Sequence, residues 1–419
     1  MARKSSVNLV DAATEAIGPG AASIGRSIDR MLSAVRTHLD MDVAFVSEFN
    51  GRDRVFRHVS CAADNVVIRQ GDSQPLDDGY CLQVVEGRIP QLIPDTSAVP
   101  VLASIEATAQ VPIGAHISVP IRLSDGSVYG TFCCFSVTPK MSLDERDLRM
   151  MEAFAELLAH QIEGDLVIVR AHQQKVDRIS AVLEMGQPGI VYQPIYRISD
   201  RQLVGIECLS RFVLEPQRGP DLWFEEAHAI GLGVRLELNA ILTALDGLRG
   251  LHGLHGGFYV ALNLSPETLI MGEIDGYLDD FPADRVVLEL TEHSDVADYG
   301  LLMERLEPLR ALGMRVAVDD AGAGYASMRH VLATRPDIIK LDISLTRGID
   351  SDSPRRALAA ALIEFARQTG SEVTAEGVET EAELDALQEL GVDHAQGYYL
   401  SRPLDREALE ALLQALQPD

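Results

Sequence analysis

The sequence predicts an α+β domain, a long connecting helix and an α/β barrel of the (β/α)8 type. Three observations lead to this prediction. Segments rich in β-branched and aromatic residues occur early, a helical 3-4 spacing of apolar residues follows, and apolar runs then alternate with amphipathic stretches. The expected parts are a tail over 1–23, the α+β domain over 24–160, the connecting helix over 161–186 and the barrel over 187–419.

The composition excludes several classes of protein. The 419 residues include 36 Lys and Arg against 63 Asp and Glu, which gives a formal net charge of −27. A protein that coats nucleic acid needs clustered Lys and Arg, so this charge argues against that class. A small anionic ligand remains compatible with it, because a bound divalent metal inverts the local field. Hydrophobic residues make up 47% of the chain, which is typical of a soluble globular protein.

Cysteine usage and hydropathy suggest the compartment. The five cysteines include no CxxC spacing and are too few for a disulfide scaffold. The basic N-terminus lacks a compact apolar stretch before a cleavage site, so it does not resemble a signal peptide. No stretch of about 18 apolar residues predicts a transmembrane helix. We therefore expect a cytoplasmic protein with no membrane partner.

The α+β domain is predicted from its strands. The segments over 42–49, 116–123 and 128–137 have strand composition, and turn residues separate the last two. Cys133 and Cys134 point to opposite faces of such a strand, which argues against a disulfide between them. Cys81 is open to two interpretations, a reactive or ligand-contacting thiol and a buried small hydrophobe, and the second is commoner.

The connecting helix is predicted over about 143–183. Ser142 is the expected N-cap, with Glu145 three positions later. Apolar residues recur with 3-4 spacing along it, at Leu148, Met151, Ala155, Leu158, Ile162, Val169, Val176, Ile179 and Leu183. The pattern fits either a helix that packs on its own domain or a seam between two identical chains. We favour the seam, and hence a homodimer, for the C-terminal half.

The barrel is predicted from eight apolar runs separated by helical stretches, which is typical of parallel strands buried on both faces. They lie at 189–195, 202–209, 258–264, 285–292, 315–320, 337–342, 372–379 and 394–400. The connection from Ile195 to Gln202 is too short for a crossover helix, so strands one and two are expected to be antiparallel.

Polar residues fall in or near the C-terminal part of each run. They are Gln193, Glu207, Asn263, Glu289, Asp319, Asp320, Lys340, Glu376 and Gln396. On a barrel they would converge on one mouth, where active sites form. Single acids at strand ends are usually helix caps, but a fixed order on eight strands favours a site. Clustered carboxylates repel unless they bind hard cations, so we expect two Mg²⁺ or Mn²⁺ ions suited to phosphoester hydrolysis.

Eight segments together resemble the EAL domain family of cyclic di-GMP phosphodiesterases. They are YQPI (192–195), ECLSR (207–211), LNLS (262–265), LELTE (288–292), VDDAGAGYAS (318–327), IIKLD (338–342), AEGVE (375–379) and QGYYLSRP (396–403). The resemblance covers residues 187–419 and implies hydrolysis of cyclic di-GMP to linear pGpG. The diguanylate-making signature GGDEF is absent from the chain, so synthesis is not expected.

The resemblance also implies roles for individual residues. The metal ligands would be Glu207, Asn263, Glu289, Asp319 and Asp320, with Asp319 bridging two ions. Lys340 would hold the nucleophilic water and Glu376 would act on it, so that the catalytic residues are Glu207, Lys340 and Glu376. The residues that contact substrate would be Gln193, Leu209, Arg211, Gln396 and Pro403. Glu292 would anchor the loop over 320–327, and Glu379 would be a supporting residue.

Two residues depart from the family pattern. Cys208 stands where the family has alanine, and Ala321 replaces the phenylalanine of DDFG. The second change removes an apolar anchor from the loop over 320–327, although no metal ligand is missing. An active enzyme is therefore favoured, and the alternative is a weak or inactive EAL domain that acts as a cyclic di-GMP receptor.

Residues 24–160 resemble a GAF sensor domain through GYCLQVVEGRIPQLIPD (79–95) and VPIRLSDGSVYGTFCCFS (119–136). This resemblance implies a small-ligand pocket or a dimerisation module, with a ligand that the fold does not identify. The domain order suggests that this domain regulates the barrel through the helix.

Overall fold

The structure of the protein is a computed structural model of a chain that forms two compact units, Met1–Gln173 and Gln174–Asp419. It describes residues 18–62, 68–105, 108, 111–251, 257–272, 274, 276, 281–291, 296, 298–321 and 325–416, without the side chains of 18–24 and 325–327. Among these residues, every helix is either too short or too polar to cross a membrane.

The first unit is built on one antiparallel sheet of six strands, in the order β3-β2-β1-β6-β5-β4. The strands are β1 (Val43–Asn50), β2 (Asp53–Cys61), β3 (Ser73–Pro75), β4 (Leu92–Ile93), β5 (Ala115–Arg122) and β6 (Val128–Ser136). This sheet confirms the three strands predicted from composition. Helix α1 (Gly18–His38) precedes it, and helix α2 (Tyr80–Val85) follows β3.

The two faces of this sheet bury different sets of residues, because successive side chains of a strand alternate. Ala44 and Cys134 lie on the face that packs against α1 and the long helix described next. Phe45, Cys81 and Cys133 belong to a second cluster on the other face. The predicted alternation of Cys133 and Cys134 is therefore confirmed.

Helix α3 (Glu145–Glu184) runs for 40 residues from the first unit into the second. Its N-cap is Asp144, whose carboxylate accepts hydrogen bonds from the backbone N–H groups of Arg146 (2.7 Å) and Asp147 (3.4 Å). The expected cap at Ser142 was wrong, because a carboxylate directly before the first turn reaches these groups and Ser142 lies two residues farther away.

The C-terminal end of α3 packs within its own chain. Ile179 and Val182 are fully buried in a cluster with Trp223, Ala227 and Leu236. The expectation that this half of the helix needs a second chain was therefore wrong for Ile179. The homodimer stays a prediction.

The second unit is a closed barrel whose strands follow the order β10-β11-β12-β13-β14-β7-β8-β9. They are β7 (Gly189–Arg197), β8 (Leu203–Arg211), β9 (Tyr259–Leu264), β10 (Val286–Leu290), β11 (Arg315–Ala321), β12 (Ile338–Leu341), β13 (Glu372–Ala375) and β14 (His394–Ala395). Strand β7 pairs antiparallel with both β8 and β14, whereas the remaining pairs are parallel. All eight predicted strands and the antiparallel first pair are thus confirmed.

Helices cover the outside of the barrel. They are α4 (Pro220–Ala229), α5 (Gly233–Leu248), α6 (Pro266–Met271), α7 (Tyr299–Ala311), α8 (Tyr325–Thr334), α9 (Ile343–Thr346), α10 (Ser353–Thr369), α11 (Glu381–Leu390) and α12 (Arg406–Ala415). Two apolar clusters bury the outward side chains of the strands against them. The inward side chains are left to fill the barrel and form its mouth.

Candidate active site

The interior of the barrel changes from apolar to polar in a single step along the strands. An apolar layer contains Ile195, Tyr259, Ala261, Val287, Ala317 and Ile338. Because side chains alternate with a period of two, the next inward positions toward the mouth lie two residues later on the parallel strands and two residues earlier on β7. They are Asn263, Glu289, Asp319, Lys340 and, on β7, Gln193. The sequence therefore places a polar ring directly above an apolar floor.

Glu207 lies in this ring on β8 and is held by two amide groups. Its carboxylate accepts a hydrogen bond of 2.7 Å from Gln396 Nε2 and one of 3.1 Å from Asn263 Nδ2. Strand register brings the neighbours together, since Glu207 pairs with Gln193 and Asn263 pairs with Glu289. Both amide nitrogens face the carboxylate, so Asn263 keeps its oxygen for another partner.

Lys340 is the cation of the ring. Its Nζ lies 2.6 Å from Glu376, 2.8 Å from Glu289, 3.2 Å from Asp319 and 3.3 Å from Glu207. Burial lowers the pKa of Lys340, but the carboxylates around it outweigh burial and raise that pKa well above its usual range. Lys340 is therefore charged, and one positive charge faces four acidic groups.

The shortage of positive charge is reflected in the pKa values of the acidic side chains. Burial raises the pKa of Glu289 and of Glu376 well above its usual range, although the Lys340 charge acts in the opposite direction. For Glu207 burial also raises the pKa, but Lys340, Gln396 and Asn263 together outweigh it and lower the value. Such a cluster favours additional cations, since buried carboxylates are stabilised by metals.

Asp319 and Asp320 both contribute to the cleft although they are consecutive in β11. The register of β11 with β12 shifts between Val318 and Ala321, which marks a bulge, and Asp320 has φ +53°. Aspartate tolerates this left-handed conformation better than most residues. The bulge overrides the usual alternation and lets both carboxylates serve one site.

The acids form two groups with the spacing that a metal ion requires. Glu207, Glu289 and Asp319 offer oxygens within 4.8 Å of one another, and so do Asp319, Asp320 and Glu376. Asp319 belongs to both groups, which is the arrangement expected of a bridging ligand. The donors are all oxygen atoms, as Mg²⁺ and Mn²⁺ prefer. The Oε1 atom of Gln396 is buried and has no hydrogen-bond partner among the described residues.

A cleft of about 410 Å³ opens above the ring. It is lined by every residue predicted to contact substrate, namely Gln193, Leu209, Arg211, Gln396 and Pro403. Glu379 also lines it and forms an ion pair with Arg347. Glu292 lies outside the described residues, as do residues 322–324 of the predicted loop.

Sequence reasoning gave no role to several residues that line this cleft, and two of them have chemistry suited to a ligand. Arg347 directly follows α9, and Tyr398 lies after β14 with the Arg402 guanidinium 4.9 Å from its ring. Arg347 falls in no predicted strand. Tyr398 falls in the predicted run over 394–400, but the observed strand ends at Ala395, and the polar pattern of the run pointed to Gln396 instead. Both present groups suited to a nucleotide, a cation and an aromatic face.

The two departures from the family pattern have different surroundings. Cys208 is buried in the apolar cluster outside β8, which confirms that a small thiol packs there. Ala321 is fully buried at the end of β11 and belongs to a cluster with Val318 and Leu341. The residues that follow it are not described, so its effect on the loop stays a prediction.

A histidine clamp supports the end of β9 next to Asn263. His228 Nε2 lies 2.6 Å from Glu237 and its Nδ1 lies 3.0 Å from Glu267. The other Glu237 oxygen accepts a hydrogen bond of 2.8 Å from the backbone N–H of Ser265. The hydrogen bond to Glu237 raises the pKa of His228 above its usual value of 6.5, although burial opposes the shift.

Protonated His228 should stabilise the fold in a defined pH range. Because the folded-state pKa is raised, this contribution is fully present below about pH 6.5 and is lost as the pH rises through the folded pKa. We expect His228→Gln to melt at a lower temperature than the parent at pH 6 and the difference to shrink by pH 9, as measured by thermal unfolding at several pH values. His160→Gln is the control, because His160 is 83% exposed. A difference independent of pH would contradict the role of the charge.

Comparisons with known proteins agree with these observations. The family model of the EAL domain matches residues 176–403, and that of the GAF domain matches residues 21–163. An uncharacterized protein of Azorhizobium caulinodans is 30% identical over 288 residues, 66% of this chain and 38% of that protein. The cyclic di-GMP phosphodiesterase NbdA of Pseudomonas aeruginosa is 32% identical over 264 residues, 60% of this chain and 34% of NbdA.

A solved structure extends the comparison to the barrel. The PaMucR phosphodiesterase in complex with cyclic di-GMP is 28% identical, with a TM-score of 0.50, over 56% of this chain and 99% of that one. The chain spans little more than a third of the length of the two curated relatives described above.

Proposed function

The chain belongs to the EAL domain family, and from this premise we propose that its barrel hydrolyses cyclic di-GMP to linear pGpG. The observation that carries the proposal is that two clusters of three acidic residues meet at the base of the cleft and have Asp319 in common. The relatives named above as cyclic di-GMP phosphodiesterases support the choice of substrate.

Two divalent cations, Mg²⁺ or Mn²⁺, complete the proposed site. One would be held by Glu207, Asn263, Glu289 and Asp319, and the other by Asp319, Asp320 and Glu376. The observed ligand atoms fit this assignment, because they are oxygens and they form two groups. The negative charge of these acids also exceeds the single positive charge of Lys340. When bound, such ions lower the pKa of water and offset the charge of the phosphate.

The protein's own groups orient the reaction. Lys340 Nζ donates a hydrogen bond to Glu289 and lies 2.6 Å from Glu376, so it is positioned to hold a water molecule beside that carboxylate. Glu376 would accept one proton of this water while the oxygen atom of the water attacks phosphorus. The P–O3′ bond breaks, the leaving O3′ oxygen takes up a proton from surrounding water, and the products are a free 3′ hydroxyl and a 5′ phosphate. Gln193, Leu209, Arg211, Gln396 and Pro403 would position the dinucleotide in the cleft.

A regulated enzyme is proposed for the whole chain. The continuous helix α3 supports transmission of a regulatory signal from the GAF domain to the barrel. The proposed boundaries are about 24–160 for the GAF domain, 161–186 for the connecting helix and 187–419 for the barrel. Leu157, Val167 and Ile168 are exposed apolar residues of α3 and support a homodimer. A cytoplasmic location would suit an enzyme that acts on a nucleotide second messenger.

The second candidate function is a cyclic di-GMP receptor that binds without turnover. Ala321 favours it, because a small residue stands where the family carries a large apolar anchor before the loop. The intact set of acidic donors favours the enzyme.

The proposed function predicts metal-dependent turnover. Purified full-length protein is incubated with cyclic di-GMP and EDTA, Mg²⁺, Mn²⁺ or Ca²⁺, and the nucleotides are separated by chromatography. We expect pGpG with Mg²⁺ or Mn²⁺, none in EDTA, and little in Ca²⁺, whose coordination is longer and less regular. Tight binding of cyclic di-GMP without pGpG under either active metal would establish the receptor instead. Equal turnover in EDTA would contradict the metal mechanism.

A further inference from the structure

A second cavity lies in the first unit, on the side of the sheet covered by α2. Its volume is about 50 Å³, and its polar lining includes Arg54, Gln74, Tyr80, Cys81 and His116. This is room for only a few molecules the size of water, since a single water needs at least about 10–15 Å³ on this measure. A nucleotide does not fit the volume, so the chemistry of the cavity must be sought in its own side chains.

Arg54 is a buried cation in this cavity. Only 5% of it is exposed, and its Nη2 donates a hydrogen bond of 2.7 Å to Gln74 while its Cζ atom lies 4.8 Å from the Phe56 ring centre. Its Nη1 donates to the Cys81 sulfur at 3.1 Å. Among the described residues no carboxylate pairs with Arg54, and its Nε has no partner.

No carboxylate among the described residues lies beside Arg54, which leaves Cys81 to act as its counter-ion. A buried guanidinium is costly unless an anion accompanies it. His116, in the same cavity, supplies no negative charge, because burial and the Arg54 charge lower its pKa to about 3 and keep the ring neutral. The Cys81 thiolate is therefore the anion that the described surroundings of Arg54 provide.

Backbone geometry holds Arg54 against the sulfur. A Cβ atom at Gly79, two residues before Cys81, would lie 2.3 Å from Arg54 Nη1. A larger residue at this position would push the guanidinium away from its observed place. Gly79 thus leaves the space in which Arg54 contacts Cys81.

A second thiol lies within reach of the first. The sulfur atoms of Cys81 and Cys133 are 3.6 Å apart, although the residues are 52 positions apart in the chain. Cys133 Sγ lies 3.1 Å from Thr131 Oγ1 and 2.9 Å from Ser118 Oγ. These hydroxyl groups hold the Cys133 sulfur beside Cys81.

The two thiols differ in acidity. Burial raises the pKa of Cys81, but the hydrogen bond with Cys133 and the Arg54 charge outweigh it and hold that pKa well below its usual range. Burial and the neighbouring Cys81 raise the pKa of Cys133 well above its usual range. One sulfur is thus the nucleophilic thiolate and the other stays a protonated thiol, which is the division of roles in a redox pair.

We propose that Cys81 and Cys133 form a peroxide-reactive redox pair in which Cys81 is the nucleophile and Cys133 the resolving thiol. The Cys81 thiolate attacks one oxygen of a hydroperoxide, the S–O bond forms, the O–O bond breaks, and the departing oxygen leaves as water or an alcohol after protonation. The Cys133 sulfur then attacks the sulfenic sulfur, the S–S bond forms, and water leaves with the Cys133 proton. Two thiols lose two electrons and one hydroperoxide gains them.

The other three cysteines lack this arrangement. Cys134 faces the opposite side of the sheet in another cluster, and burial raises its pKa. Burial also raises the pKa of the partly exposed Cys61, and Cys208 belongs to the barrel unit. These residues serve as internal controls, because among the described residues none of them combines a hydrogen bond from an arginine with a second sulfur at contact distance, and burial outweighs the Arg36 charge at Cys61 and Cys134.

Peptide mapping of the unmodified sequence tests the proposal without any variant. Reduced full-length protein is treated with hydrogen peroxide, its remaining thiols are blocked under denaturing conditions, and the digest is analysed by mass spectrometry. We expect a disulfide between the Cys81 and Cys133 peptides, with Cys134 and Cys208 still reduced. Oxidation at Cys61 alone, or equal oxidation of all five cysteines, would overturn the proposal.

Two pairs of variants test the separate roles. Cys133→Ser should give a sulfenic acid at Cys81 that dimedone traps, whereas Cys134→Ser should still form the disulfide. Arg54→Gln should slow the oxidation of Cys81 on the order of tenfold at pH 7, because it removes the charge that favours the thiolate. Arg57→Gln is the matched control, since Arg57 lies on the same strand but pairs with Glu48. Equal rates for the two arginine variants would overturn the role of Arg54.

Discussion

Glu207→Gln should lower the turnover of cyclic di-GMP by about 10³-fold or more, which corresponds to about 4 kcal/mol of transition-state stabilisation. The change removes one negative charge from the first acidic group. It also replaces one carboxylate oxygen with an NH₂ group, which then faces an NH₂ donor, because Gln396 and Asn263 each donate a hydrogen bond to a different oxygen of Glu207. The side chain keeps its size, so the barrel should remain folded.

The adjacent residue provides a matched control. Cys208→Ala alters the same strand and restores the residue that the family carries there, but its side chain packs in the apolar cluster outside the ring. We expect turnover within about threefold of the parent for this variant, because the substitution removes one buried sulfur and no donor. Both variants are assayed for pGpG with Mn²⁺ and for Mn²⁺ affinity by calorimetry. Full turnover in Glu207→Gln, with undiminished metal affinity, would show that the site is misassigned.

Lys340→Met should destabilise the metal-free barrel and make its stability depend strongly on divalent cations. Lys340 is 1% exposed, and its Nζ lies within 3.3 Å of Glu207, Glu289, Asp319 and Glu376. Removal of one partner from a buried ion pair costs about 3–5 kcal/mol, because the remaining charge is left without compensation. Methionine keeps much of the length of the side chain, so the charge is the main property that changes.

Mn²⁺ should offset this loss because it supplies the positive charge that the lysine no longer provides. We expect the rise in unfolding temperature on adding Mn²⁺ to be larger for Lys340→Met than for the parent. The turnover of Lys340→Met should fall sharply with Mg²⁺ and with Mn²⁺. Fluorescence of Trp223 reports the transition, since it is the one tryptophan of the chain and lies in the barrel unit. Lys140→Met is the control, because Lys140 pairs with the exposed Asp40 in the first unit. An unchanged unfolding temperature in EDTA would contradict the expected effect of Lys340.

Several features of the fold could be predicted because they follow from local periodicity. A strand buried on both faces is apolar along its length, so each barrel strand was visible as a run. The polar residue near the end of a run then had to point into the barrel, as Glu289 does two residues after Val287. The short connection after Ile195 required the antiparallel pair that β7 and β8 form.

Other features depended on contacts between distant parts of the chain. Ile179 was expected in a seam because its partner, Trp223, comes 44 residues later on another helix. Arg347 and Tyr398 reach the cleft from segments that follow α9 and β14, and the tertiary structure rather than the strand pattern brings them there. The left-handed conformation of Asp320 depends on the local bulge rather than on residue type alone.

The sequence by itself determined the two domains, the barrel and the ring of acids, because alternation and burial are local properties that a one-dimensional pattern records. Only the tertiary structure decided how charges and sulfur atoms meet. It placed one lysine among four carboxylates, let Asp319 belong to two groups, and brought Cys81 beside both Arg54 and Cys133. Electrostatic and covalent chemistry depends on separations of a few ångströms, which folding sets between residues far apart in the chain.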